Sequence, residues 1–182
     1  MNTLSATKSI AILSMLAWAN TAFPHIVLES KSAAAGGSYK AVLLVGHGCQ
    51  GSATTGLSVQ IPAGFQGAKP YPKAGWTVTM QREKLAKPYD SHGRQVTEDV
   101  TVVSWKAGSK DAALPNDHFD EFVFRGKLPA RTGPLWFKVL QTCESGSASW
   151  DQIPASGIST EGLKFPAALL QVGKPETGHH HH

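Results

Sequence analysis

The stretch Leu135-Trp136-Phe137-Lys138-Val139-Leu140-Gln141-Thr142-Cys143 decides the fold. Successive side chains of a β-strand point to opposite faces. Leu135, Phe137, Val139, Gln141 and Cys143 therefore share one face, a row that reads as core-facing and ends on a cysteine. From there a bridge to Cys49 would pin two sheets together.

Outward from this segment the same period of two recurs, with Gly, Pro, Ser and Asn clusters between the runs. Candidate strands are Ile26 to Glu29, Tyr39 to Gly46, Leu57 to Pro62, Thr77 to Leu85, Asp99 to Lys106, His118 to Leu128, Leu135 to Cys143, Ala148 to Ile153 and Ala167 to Val172. Short strands at this spacing predict an all-β, two-sheet antiparallel sandwich of about nine strands. Within Asp99 to Lys106, Val100, Val102 and Ser104 alternate with Thr101, Val103 and Trp105. No segment sustains a helical period, and neither an internal repeat nor a change of composition divides the chain, so residues 25–174 read as one domain. Ala86 to Arg94, which contains His92, and Lys110 to Asp117 read as exposed loops.

Composition agrees. Charged residues are 16% and hydrophobic ones 41%, too few charges for a coiled coil and too much apolar material for a disordered chain. The net charge of +4 comes from basic residues scattered along the chain, which gives no support to nucleic-acid binding.

Residues 1–24 read as an export signal and short leader. Lys8 supplies the positive start, Ser9 to Leu16 the apolar stretch, and Ala17-Trp18-Ala19 a small-x-small cleavage pattern. No later run approaches the ~20 apolar residues of a membrane helix, so no stable membrane anchor is expected. Residues 175–182 read as a disordered tail in which Gly178 and His179 to His182 resemble a purification-tag remnant. The expected location is periplasmic or secreted. In such an oxidising compartment the two mature cysteines, Cys49 and Cys143, are expected to form a disulfide.

Enzyme signatures are scarce. There is no Gly-x-Ser-x-Gly elbow, no His-Glu-x-x-His and no phosphate-binding glycine loop, and the adjacent Asp120 and Glu121 would point to opposite faces of a strand. Histidines and a tryptophan remain. His25 opens the first strand, with Val27 and Glu29 on its face, and a histidine beside a processed amino terminus brings a second nitrogen; such donors suit Cu(II). His47 lies between Gly46 and Gly48, either as an openly presented imidazole or as a turn histidine bonded to a backbone carbonyl. Trp150 follows Cys143 closely enough to lie by the disulfide, as a lid on the core or as a ring face that attracts a cation.

These residues resemble a family. His25-Ile-Val-Leu-Glu29, Val45-Gly-His47-Gly-Cys49 with Ala53-Thr54-Thr55, Tyr71-Pro-Lys-Ala-Gly75-Trp76, Val103-Ser-Trp105, Phe119-Asp-Glu-Phe122 and Gln141-Thr-Cys143-Glu-Ser-Gly146 to Trp150 together are similar to the YcnI-type bacterial copper-binding domains. The resemblance runs from His25 to about Val172. It implies an immunoglobulin- or fibronectin-like sandwich with a Cu(II) site, in which His25 matches a terminal histidine binding through ring and amine, and Trp150 matches the tryptophan at the copper. Some family members place a glutamate where this chain has Gly46 to Cys49; here His47 is the donor. Cleavage after Ala19 would leave Asn20-Thr21-Ala22-Phe23-Pro24 ahead of His25, in which case copper rests on His25, His47 and an oxygen, Glu29 being one candidate.

The function expected is extracytoplasmic Cu(II) binding for copper storage, transfer or homeostasis, without catalysis. Another periplasmic copper carrier or a membrane copper transporter is the partner that the resemblance implies. Two rivals are a histidine-brace copper monooxygenase acting on a polysaccharide, recognised by oxidised sugars among its products, and a metal-free immunoglobulin-like interaction module.

Overall fold

A computed structural model describes residues 25–174; the stretches read as an export signal and as a disordered tail lie outside them. Eleven strands form two sheets. The smaller sheet runs β1 (Val27–Leu28), β3 (Ser38–Val45), β8 (Asp120–Lys127), β5 (Gln66–Pro70). The larger one runs β2 (Ser32–Ala34), β11 (Ala168–Gly173), β9 (Gly133–Cys143), β4 (Thr54–Gln60), β7 (Arg94–Ala107), β6 (Trp76–Ser91). The remaining strand, β10 (Ser147–Trp150), pairs with the end of β9 through Trp150 opposite Val139 and Ser147 opposite Thr142.

The two sheets close on one apolar layer. Leu43, Val45, Phe122 and Phe124 from the smaller sheet meet Leu57, Val59, Val103, Trp105, Phe137 and Val139 from the larger, all essentially without solvent contact. The face read from β9 is the buried one, since Leu135, Phe137, Val139, Gln141 and Cys143 are all inside. Cys49, just past β3, and Cys143, at the end of β9, are bonded with Cα atoms 5.9 Å apart. This bridge joins the sheets at one end of the sandwich.

Five details differ from the sequence reading. β2 and β5 were not expected, because Ser32–Ala34 is too short to show a period and Gln66–Pro70 carries Gly, Lys and Pro; both gain their order from neighbouring strands. β2 pairs with β11 in parallel, whereas the other strand pairs are antiparallel. In β7 the alternation breaks: Gln81 faces Val102 and Arg82 faces Val100, so Thr101 is an extra residue. This bulge changes the phase, burying Val100 on one side of it and Val103 and Trp105 on the other. Residues 86–94 are not a loop but the tip of the β6–β7 hairpin, turning at His92 and Gly93, both at positive φ. Lys110 to Asp117 likewise is not wholly exposed. It holds a 3-10 turn at Lys110–Ala112, and Leu114 is buried and exchanges both backbone hydrogen bonds with Thr54.

Among the described residues no helix is long and apolar enough to cross a membrane.

Candidate metal centre

Strand pairing brings the first histidine to the level of the second. Val27 lies opposite Leu44 and Leu28 opposite Leu43, so β1 runs antiparallel to β3 and His25 reaches the level where β3 gives way to Gly46-His47-Gly48. Trp150 arrives from the other sheet on β10. The centroids of the His25 and Trp150 rings are 5.9 Å apart, and those of His47 and Trp150 are also 5.9 Å apart. Both imidazoles therefore flank one indole at the disulfide end of the sandwich.

Gln141 fixes that indole. Its carboxamide is wholly buried; Oε1 accepts the Trp150 indole N–H at 3.0 Å, while Nε2 donates to the His47 carbonyl at 2.7 Å and to the Thr54 hydroxyl at 2.8 Å. A buried amide with donors and acceptor all paired is a rigid support. One side chain thus ties the His47 turn to Trp150. The sequence reading placed Gln141 on the core face without giving it a part in the site; a polar residue in an apolar row was the available signal, because it must find partners there.

The turn is fixed in a second way. A side chain at Gly48 would place its first carbon 1.7 Å from the Ser52 carbonyl oxygen, a backbone atom, so only glycine fits. The Gly48 N–H donates to Asn116 Oδ1 at 3.2 Å, and Asn116 lies in the segment read as an exposed loop. His47 Nδ1 donates to the Gly48 carbonyl at 2.6 Å. The carbonyl can only accept, which selects the tautomer with its lone pair on Nε2. Metal-bound histidines are commonly oriented by this kind of bond from the other ring nitrogen.

The sequence matches, over residues 25–172, a family described as a domain of unknown function (DUF1775). The chain belongs to this family. DUF1775 is the family of the YcnI-type domains. The DUF1775 domain described here is also similar in fold to an uncharacterized protein from Nocardia farcinica with an immunoglobulin-like fold: TM-score 0.64 and 23% identity, covering 82% of this chain and 99% of that one. No curated protein matches it.

Beside the DUF1775 indole a cleft of about 430 Å³ opens between His47, Asn116, Ala148, Lys164 and Phe165. His25 borders a separate, smaller recess with Ile158 and Pro166. Glu29 is not with them. It lies exposed past the other end of β1, where its charge adds to burial in pushing the Tyr39 phenol up to about 12. Among the described residues no group of three His, Cys, Asp or Glu side chains forms a metal cage. The donors gathered at Trp150 are two imidazoles, a set that suits Cu(II) when oxygen or amine donors fill the other positions. Both cysteines are in the disulfide, and Met80, on edge strand β6, is the one thioether among the described residues. His92 sits at the β6–β7 turn and His118 in the segment before β8, neither in contact with Trp150.

Proposed function

We propose that this DUF1775 domain is an extracytoplasmic Cu(II)-binding protein for copper storage, transfer or homeostasis, and not an enzyme. The observation that carries the reading is the convergence of His25 and His47 on Trp150. His25 and His47 hold the ion through ring nitrogens. Trp150 covers it with an indole oriented by the bond from its N–H to Gln141. Bound there, copper would be carried as cargo; the chain supplies donors, orientation and a partly dry wall.

The nitrogen donors favour Cu(II) over Cu(I), since no thiolate or thioether joins them. The disulfide is consistent with an oxidising compartment outside the cytoplasm. A periplasmic copper carrier or a membrane copper transporter is the fitting exchange partner for a shallow, two-imidazole site.

Electron paramagnetic resonance of the Cu(II)-loaded chain, with His179 to His182 removed, tests the assignment. Imidazole nitrogen couplings are expected in the parent and reduced in both His25→Ala and His47→Ala. A chain without Cu(II) affinity would leave the metal-free interaction module as the reading.

A further inference from the structure

The outward face of the smaller sheet carries a second feature, independent of copper. Lys40 on β3 stands directly opposite Arg125 on β8, and Arg125 directly opposite Lys69 on β5. All three are exposed, and each follows or precedes a buried residue that fixes it outward: Tyr39 and Ala41, Phe124, and Ala68. One step along, Lys127 stands between Ser38 and Gln66. Directly opposed like charges destabilise a sheet. Here they cross three strands in one line.

Among the described residues none of the three forms an ion pair; the ion pairs there are Lys73 with Asp120 and Lys110 with Glu144. Asp99, the nearest buried carboxylate, is spent on the Gly67 N–H at 2.8 Å and the Tyr89 hydroxyl at 2.7 Å. The β6–β7 hairpin adds further cations: of two adjoining grooves of about 450 Å³ each, one is lined by Lys69, Arg125 and Lys127, and the other by Lys69, Arg82 and Arg94 together with Glu98 and Asp99. Tyr71, 42% exposed, borders the row with the Lys40 ammonium 5.9 Å from its ring centre.

We propose that the cationic row Lys40–Arg125–Lys69 is a reversible docking surface for an anionic phospholipid membrane. An open sheet face matches a plane of phosphate headgroups, and cations beside an exposed tyrosine are the composition that binds at a membrane–water interface. The row lies five residues along β3 from Val45, roughly 17 Å of strand, so docking leaves the histidines at the other end accessible.

Co-sedimentation of the full chain with vesicles at neutral pH tests this. Vesicles of phosphatidylcholine with phosphatidylglycerol should bind it at low salt and release it at high salt, and phosphatidylcholine alone should not bind. The triple variant Lys40→Gln, Lys69→Gln, Arg125→Gln should bind on the order of a hundredfold more weakly and, freed of like-charge repulsion, unfold no earlier than the parent. Lys110→Gln with Lys164→Gln, at the other end, should bind as the parent does. Equal binding by the triple variant would overturn the proposal; so would capture of soluble polyphosphate without any binding to the anionic vesicles. Should the triple variant fail to fold, the parent decides it: binding to anionic vesicles that persists in high salt would overturn the assignment.

Discussion

Gln141 Oε1 accepts the Trp150 indole hydrogen at 3.0 Å, in a position with no solvent contact. The same amide holds the His47 carbonyl, so the core of the larger sheet and the candidate metal site are mechanically one unit. Gln141→Leu keeps the volume but leaves the indole N–H, the His47 carbonyl and the Thr54 hydroxyl without that partner. The expected loss is about 3 kcal/mol in denaturant unfolding, with weaker Cu(II) binding in the folded fraction.

Trp150 stands 5.9 Å from both imidazole rings, centroid to centroid. Cu(II) should quench tryptophan fluorescence in the parent, and Trp150→Phe, still folded, should lose much of that quenching. Equal quenching in both would confine Trp150 to the core.

The disulfide closes a separation of 94 residues and crosses between the sheets. Cys49→Ala should lower stability by about 2 to 5 kcal/mol, read from the denaturation midpoint. His47, two residues away, should lose part of its affinity for Cu(II) in the same variant. Alkylation of two thiols in denatured, unreduced protein would contradict the bridge.

Two phenols make alkaline unfolding specific. Burial, with Glu29 second, pushes Tyr39 up to about 12 from 10.0; burial and then the hydrogen bond to Asp99 push Tyr89 up to about 12. A pKa raised on folding means the native state holds its proton longer. The stability gained is present in full below pH 10.0 and is lost as the pH rises towards about 12. Tyrosinate absorbance followed against pH should show Tyr39 and Tyr89 ionising late and together with unfolding, and Tyr89→Phe should lose one late step.

What was legible in the sequence was what one strand can state by itself. In β9 five core positions alternate without interruption, and their burial follows the reading. β5 owes its order to β8, and the outer part of β6 owes its to β7, through pairings whose Lys, Glu and Pro residues carry no apolar period. The Thr101 bulge was illegible for a related reason: Val100, Val102 and Val103 are alike in polarity, and only the partner strand reveals which one changes face. At the site, His25, His47 and Trp150 were named from sequence, and each of the two imidazoles lies 5.9 Å from the indole, centroid to centroid. Gln141 and Asn116 were missed because their roles lie in bonds to backbone atoms of a turn far away in the chain. Glu29 shares an alternation with His25, but β1 is only Val27–Leu28 and leaves it beyond the far end.

Cu(II) competition titration tests the central claim most directly, on chain lacking His179 to His182 and on its His25→Ala, His47→Ala, His92→Ala and His118→Ala variants. Loss of an outer partner of a metal ligand typically costs 10- to 100-fold in affinity, and loss of one of two imidazole donors should cost more. The expected result is that His25→Ala falls furthest, His47→Ala next, and His92→Ala and His118→Ala stay with the parent. If His25→Ala binds Cu(II) as tightly as the parent, His25 is not a ligand and the assignment of this site is wrong.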